Sequence, residues 1–285
     1  MNFHTDEWVM NGMHDHYNAA LEYFDETHIV GLFCQGSTNY GLDMEWSDLD
    51  TKLITTPYLK ELVFNKKPVS TTHVRANEEH IDFKDVRLYM NTFRKGNLNF
   101  LEILFTPYCI INPMYQYEWQ TLVDNRELIA HMDMGASVKA MYGMATEKFH
   151  ALEHRYPAKV AIIDQFGFDT KQLHHLIRIE MFLRHYLEGM PYEKCLRPEG
   201  AEFRYLKMLK TPGSVTLNEA RELATNSLAR TKMMCDNFVA KYNKETDYKH
   251  EADIILNSTL YKIITKSIDN DLAACHTYWD DDEDV

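Results

Sequence analysis

Two short apolar runs, separated by a loop of small and acidic residues, constrain the N-terminal fold of this chain most strongly. In the stretch HIVGLFCQGSTNYGLDMEWSDLDTKLI, residues 28–34 precede the loop and residues 50–55 follow it. Apolar runs of this length, bounded by Gly, Ser and Asp, are typical of buried β-strands. The sequence therefore predicts two strands of one sheet, joined by a loop that carries polar side chains.

Helical patterns flank these strands. The apolar periodicity of residues 6–24 predicts an amphipathic helix before the first strand. Residues 80–83 suit a further short strand, and Asp85 is well placed to cap a helix that ends near the next glycine. Residues 57–78 are expected to form a short helix and a polar loop, and residues 99–105 fit either a helix or a strand.

After about residue 113 the pattern becomes almost entirely helical. The candidate helices are 114–124, 135–155, 169–188, 201–210, 216–243 and 248–268. This change predicts an α+β protein with an α/β domain over residues 1–112 and an all-helical domain over 113–270. Residues 271–285, which end in an acidic run, are expected to be a solvated, disordered tail.

The net charge limits the classes of partner. At −13, the chain is unsuited to broad contact with the phosphate backbone of DNA or RNA. A small anionic substrate that is reached through metal ions remains compatible with this charge.

The cysteines and the apolar runs predict the cellular compartment. The five cysteines are scattered without a CxxC pair, which favours free thiols in a reducing environment. The N-terminal residues show no basic segment followed by an apolar core, and no apolar run approaches the ~20 residues of a membrane span. We therefore expect a cytoplasmic protein that does not enter a membrane.

The loop between the first two predicted strands carries the most informative side chains. Asp48 and Asp50 are one residue apart, so on a strand they point to the same side. Two carboxylates held this close are costly unless a cation lies between them. The Gly36–Ser37 turn upstream can offer backbone N–H groups and a hydroxyl to a phosphate. The combination predicts a site for a metal-bound nucleoside triphosphate.

Three segments give the chain a resemblance to a known superfamily. They read GSTNYGL…SDLD, KGNLNFLEILFTP and FDTKQLHHLIR. The chain resembles the DNA polymerase β-like nucleotidyltransferases, and most closely a bacterial and phage branch labelled as predicted nucleotidyltransferases of an RNA repair pathway. That branch shows GSxxYGL…SDxD, kGNPNxLExLfsP and YDTKxxxHLxR in the corresponding places, and the resemblance covers most of the chain. It implies a mixed β-sheet flanked by helices in the N-terminal domain.

Two positions depart from the pattern of the branch. Thr38 stands where relatives usually carry Arg, which removes one phosphate contact, and Leu98 stands where they usually carry Pro. The first departure bears on the identity of the substrate, and the second implies a smaller local change.

The resemblance also implies roles for individual carboxylates. Asp48 and Asp50 would hold two divalent ions, Mg²⁺ or alternatively Mn²⁺, while Ser37 and the Gly36 backbone would hold the β- and γ-phosphates. A third carboxylate from a neighbouring strand normally activates the incoming hydroxyl. Asp82, between two apolar residues, is our choice for it. Asp85 is the alternative, although a helix N-cap role already accounts for that residue.

A second group of polar residues lies in the predicted helical domain. Lys171, His175 and Arg178 are spaced i, i+4, i+7 and so share one face of a helix. An arbitrary stripe of this kind is more often a solvated surface, but the match to the branch favours contact with substrate phosphates. Asp169 is expected to cap this helix.

These features together predict an enzyme. The expected reaction is the metal-dependent transfer of a nucleoside monophosphate from a nucleoside triphosphate to a hydroxyl, with release of pyrophosphate. We favour an RNA end as the acceptor over a protein side chain or a small molecule. The alternatives are a protein AMP-transferase and a catalytically weak, antitoxin-like regulator that binds nucleotides.

Overall fold

The first two strands form where the sequence predicts them. The computed structural model describes residues 3–76, 79–242 and 248–280. In it β1 (Ile29–Gln35) pairs antiparallel with β2 (Asp50–Thr55), and Gln35 lies opposite Asp50. The loop between them therefore begins and ends at the same edge of the sheet.

Three further strands complete a mixed five-stranded sheet among the described residues. They are β3 (Ser70–Val74), β4 (His80–Asp85) and β5 (Cys109–Ile111). The strand order is β3-β4-β2-β1-β5, with β4 parallel to β2 and the other neighbours antiparallel. The predicted α+β class with a mixed N-terminal sheet is confirmed. The prediction of a polar loop before residue 78 missed β3, whose residues are mostly exposed.

The two faces of the sheet differ in chemistry. One face packs against α1 (Asp6–Ala20), because alternate strand residues such as Leu32, Leu53 and Phe83 are apolar and buried there. The opposite face carries polar residues near the loop edge. Further from that edge it is covered by α6 (Gln116–Asp124), whose Trp119 ring lies 4.2 Å from the Phe33 ring between centroids.

Short helices lie between these strands. They are α2 (Ser37–Tyr40), α3 (Leu59–Val63), α4 (Val86–Arg94) and α5 (Leu98–Leu101). A further short helix, α7 (Arg126–Ala130), follows α6. Asp85 accepts a hydrogen bond from the backbone N–H of Arg87 at 2.8 Å, so its predicted role at the start of α4 is confirmed. Residues 99–105 are helical, with α5 followed by a 3₁₀ turn.

The later helices include the predicted ones in their order. They are α8 (Met134–Ala151), α9 (Val160–Phe166), α10 (Thr170–Leu187), α11 (Tyr192–Leu196), α12 (Gly200–Lys210), α13 (Leu217–Lys241) and α14 (Lys249–Asp280). The short α9 and α11 were not predicted. The side chain of Asp169 accepts from the Lys171 N–H at 2.9 Å, which confirms it as the cap of α10. None of the described helices has both the length and the apolarity needed to cross a membrane.

The chain forms two compact units. The sheet unit comprises Met1–Arg94, Asn99–Met132 and Tyr248–Val285, and the helical unit comprises Lys95–Leu98 and Asp133–Asp247. This division differs from the predicted ranges because α6, α7 and α14 belong with the sheet. Residues 271–280, predicted as part of a disordered tail, continue α14, whereas residues 281–285 lie outside the described residues.

Polar contacts fix α14 within the sheet unit. Asp271 accepts a hydrogen bond from the Leu59 N–H at 2.6 Å and pairs with the ring of the buried His28 at 2.8 Å. The Arg94 guanidinium donates to Asp253 at 2.7 Å. Local helical periodicity predicts α14 but carries no information about these distant partners.

Candidate metal and nucleotide site

Asp48, Asp50 and His80 come together at the loop edge of the sheet. One ligand atom from each lies within 4.8 Å of the other two, which makes them a candidate metal-binding group among the described residues. The parallel register pairs Thr51 with Ile81, so residue 80 falls beside residue 50 on the same face. The His80 Nδ1 is 3.2 Å from the Asp50 Oδ1. Solvent reaches all three side chains, because Asp48 is exposed and the other two are partly exposed.

The chemistry of these donors fits a divalent cation. Two carboxylates supply the oxygen ligands that Mg²⁺ and Mn²⁺ accept, and the imidazole of His80 adds a nitrogen that transition metals favour. The predicted pair Asp48 and Asp50 is thus joined by a residue that the prediction missed. The signal for His80 was the alternation of its strand, which places residues 80 and 82 on one face.

Asp82, the predicted third carboxylate, lies outside this group, and its role stays a prediction. Its carboxylate accepts hydrogen bonds from Gln35 Nε2 at 3.3 Å, Lys52 Nζ at 3.2 Å and Thr72 Oγ1 at 2.6 Å. Burial alone would raise the pKa of Asp82, but the positive charge of Lys52 and the three hydrogen bonds outweigh burial and lower it.

Asp85, the alternative third carboxylate, is engaged in other contacts. It is buried, and the Arg87 guanidinium donates to it through Nε at 2.9 Å and Nη2 at 2.6 Å. Because residues 82 and 85 differ by an odd number, Asp85 points to the opposite face of β4 from Asp82. The N-cap hydrogen bond and the ion pair with Arg87 account for the position of Asp85.

Gly36 lies beside the carboxylate of Asp50. Its backbone adopts φ +74° and ψ −151°, a conformation that side-chain-bearing residues rarely adopt. A β-carbon at this position would stand 3.8 Å from the Asp50 Oδ2. Ser37 follows at the start of α2 and is half-buried, whereas Thr38 is buried. The turn therefore borders the metal-binding group, and its phosphate-binding role stays a prediction.

The predicted phosphate contacts on α10 differ in exposure and charge. Lys171 is exposed, His175 is half-buried and Arg178 is buried, so they do not form one solvated row. Burial, together with the positive charges nearby, holds the pKa of His175 well below its ordinary value. The lowered pKa favours the neutral form of His175. The roles of Lys171 and Arg178 toward phosphate stay predictions.

Comparison with known proteins adds little evidence about the function of this site. No protein-family model and no curated protein matches the chain. A solved structure to which it is similar is a nucleotidyltransferase-like protein from Exiguobacterium sibiricum 255-15. The two are 10% identical over 87% of this chain and 78% of the other, with a TM-score of 0.30. A likeness at this level carries no functional argument, so the assignment of function has to rest on the site.

The conformation of Gly36 yields a test of the turn. Gly36→Ala is expected to lower the free energy of unfolding by about 1–3 kcal/mol, because alanine is strained at this positive φ. Gly143→Ala is the matched control, since it lies within α8 and a β-carbon added there would meet open space. That change should instead raise the free energy by about 0.5–1 kcal/mol. Urea unfolding followed by circular dichroism measures both, and equal effects would contradict the assigned turn geometry.

The burial of His174 yields a prediction about pH. Burial lowers its pKa to about 3, and its Nδ1 lies 2.9 Å from the Leu206 carbonyl oxygen. Because the unfolded state binds the proton more readily, His174 stabilises the fold fully above its unfolded pKa of about 6.5. This contribution is lost progressively as pH falls from that value toward 3.

His174→Asn should therefore reduce the loss of stability on acidification. Between pH 7 and pH 5, we expect the variant to lose about 2 kcal/mol less than the parent in urea unfolding. His154→Asn, at an exposed position of the same unit, should leave the pH dependence unchanged. An unaltered dependence in the His174 variant would show that this residue is not protonated on unfolding.

Proposed function

We propose that the chain is a metal-dependent nucleotidyltransferase whose catalytic centre lies in the sheet unit. The observation that carries the proposal is the group of Asp48, Asp50 and His80 beside the Gly36–Ser37 turn. Cation ligands next to a turn that carries a hydroxyl side chain suit a substrate that combines a metal ion with phosphates. The resemblance of the three sequence segments supports the same class of reaction.

The proposed reaction balances as a simple displacement. An acceptor hydroxyl oxygen forms a bond to the α-phosphorus, and the bond from that phosphorus to the bridging oxygen breaks. Pyrophosphate leaves with the bonding electrons, and the hydroxyl proton passes to water. A divalent ion at the site would offset negative charge on the phosphates.

Individual residues have separate roles in this proposed reaction. Asp48, Asp50 and His80 supply ligands, and Ser37 donates its hydroxyl to a phosphate oxygen. Gly36 leaves room for the substrate beside Asp50, because a side chain there would approach the carboxylate. The group provides ligand atoms for one ion, so we propose one ion held mainly by protein. A second ion of the predicted pair would depend on the substrate phosphates for its ligands.

The nucleotide transfer is tested with labelled nucleoside triphosphates in Mg²⁺ or Mn²⁺. Asp50→Ala and Asp48→Ala are each expected to lower kcat/KM by roughly 10² or more, because charge stabilisation at the phosphates is lost. Asp15→Ala, at an exposed position on α1, is the control and should retain activity. Transfer that persists in the double variant Asp48→Ala/Asp50→Ala would refute the proposed centre.

The same reactions distinguish the proposed acceptors. Label that appears on added RNA supports transfer to an RNA end, which we favour. Label on a protein band, with none on RNA, supports a protein AMP-transferase. Nucleotide binding without label transfer or pyrophosphate release supports the regulatory alternative.

His80 yields a prediction about metal preference. An imidazole ligand favours Mn²⁺ over Mg²⁺, whereas a third carboxylate would favour the harder ion. His80→Asp is expected to weaken Mn²⁺ binding relative to Mg²⁺, as measured by electron paramagnetic resonance with Mg²⁺ as competitor and no nucleotide present. His14→Asp, on the exposed side of α1, should not change the ratio. A ratio that is equal in parent and His80→Asp would remove His80 from the ligand set.

A further inference from the structure

A cavity of about 230 Å³ lies on the polar face of the sheet unit. Its lining includes Lys52, Ser70, Thr72, Asp82, Lys84 and Phe100. These residues come from β2, β3, β4 and α5, so the parallel pairing that forms the metal-binding group also forms the cavity. None of them belongs to that group.

The cavity is positively charged in a strongly acidic protein. The Lys52 and Lys84 ammonium groups lie 4.4 Å and 4.2 Å from the centre of one aromatic ring, that of Phe100. Asp82 is the one carboxylate among the described lining residues. Two lysines against one aspartate leave a positive balance, although the whole chain carries −13. Such a surface favours an anionic ligand.

A buried hydroxyl supplies a second observation. Tyr89 lines the same cavity and is 1% exposed. Its hydroxyl has no hydrogen-bond partner among the described residues. A buried donor without an acceptor is costly. A ligand oxygen in the cavity would provide that acceptor.

In the strand order, the Gly36–Ser37 turn and most of the cavity walls lie on different sides of β2. Gly36 follows β1, whereas Asp82 lies on β4 two residues beyond His80, roughly 6.5 Å along the strand. The remaining walls come from β4 and the outer strand β3. In an in-line displacement, the attacking and leaving oxygens lie on opposite sides of the phosphorus. A triphosphate held at Gly36–Ser37 would therefore leave the cavity to the acceptor.

We propose that this cavity binds a phosphate group of the acceptor and so selects a hydroxyl compound that carries phosphate. The inference rests on the proposed nucleotidyltransferase function, because that function defines which side the acceptor occupies. Lys52 and Lys84 supply the positive charge, and Tyr89 donates to a phosphate oxygen. The phosphate can come from the backbone of an RNA 3′ end or from a small phosphorylated sugar.

Binding of acceptor analogues tests the cavity without catalysis. Calorimetric titrations use ribose 5-phosphate, uncharged ribose and a short RNA with a 3′-hydroxyl, in EDTA and without nucleotide. At least one phosphate-bearing probe is expected to bind, and ribose is not. Lys84→Glu should weaken binding at least tenfold by reversing a charge. Lys60→Glu, a lysine on the exposed surface of α3, should leave binding unchanged.

Tyr89→Phe separates a binding role from a structural one. Since its hydroxyl has no partner among the described residues, the change should leave the melting temperature equal or higher. The same change should weaken probe binding about tenfold, because a hydrogen bond to a charged group is lost. Thermal melts of every variant distinguish a loss of fold from a loss of binding.

The outcomes separate this inference from the proposed function. The inference is overturned if neither phosphate-bearing probe binds, if ribose binds equally well, or if folded Lys84→Glu and Tyr89→Phe bind as the parent does. Probe binding that both variants weaken, in a protein without transferase activity, would support the cavity and refute the function. Transferase activity with an unchanged acceptor KM in both variants would support the proposed function and refute the role of the cavity. Preference between RNA and ribose 5-phosphate identifies the source of the phosphate.

Discussion

The parallel pairing of β2 with β4 is the constraint on which the candidate site depends. It places His80 beside Asp50, Asp82 opposite Lys52 and Lys84 opposite Ile54. A shift of one residue would exchange the faces of β4, sending these polar side chains into the core against α1. The apolar alternation that buries Ile81 and Phe83 thus also sets the geometry of the metal-binding group and the cavity.

Local patterns in the sequence predicted the parts of the site that lie close together along the chain. The strands before and after the loop, the Asp48–Asp50 pair and the caps formed by Asp85 and Asp169 all follow from short-range rules. The role of His80 depends on a pairing between strands about 30 residues apart. No short-range rule specifies such a register, so sequence reasoning did not bring His80 into the group.

Local sequence patterns limited the prediction of the sheet and of the helices in the same way. β3 was missed because its residues, STTHV, are polar and mostly exposed at the outer position of the sheet, without the apolar alternation of a half-buried strand. The long helices were predicted well from periodicity, whereas the short α9 and α11 were missed. Periodicity does not show which helix packs with which unit. Burial likewise sets the neutral state of His175, and burial depends on neighbours from other helices.

The position of α14 in the chain has a consequence for synthesis. The sheet unit is built from segments on both sides of the helical unit in the sequence, and its last segment supplies the buried residues Ala252, Leu256 and Ile263. A ribosome makes these residues after the whole helical unit. The strands that carry the candidate site therefore emerge before α14, and their unit completes its packing only when α14 has been made.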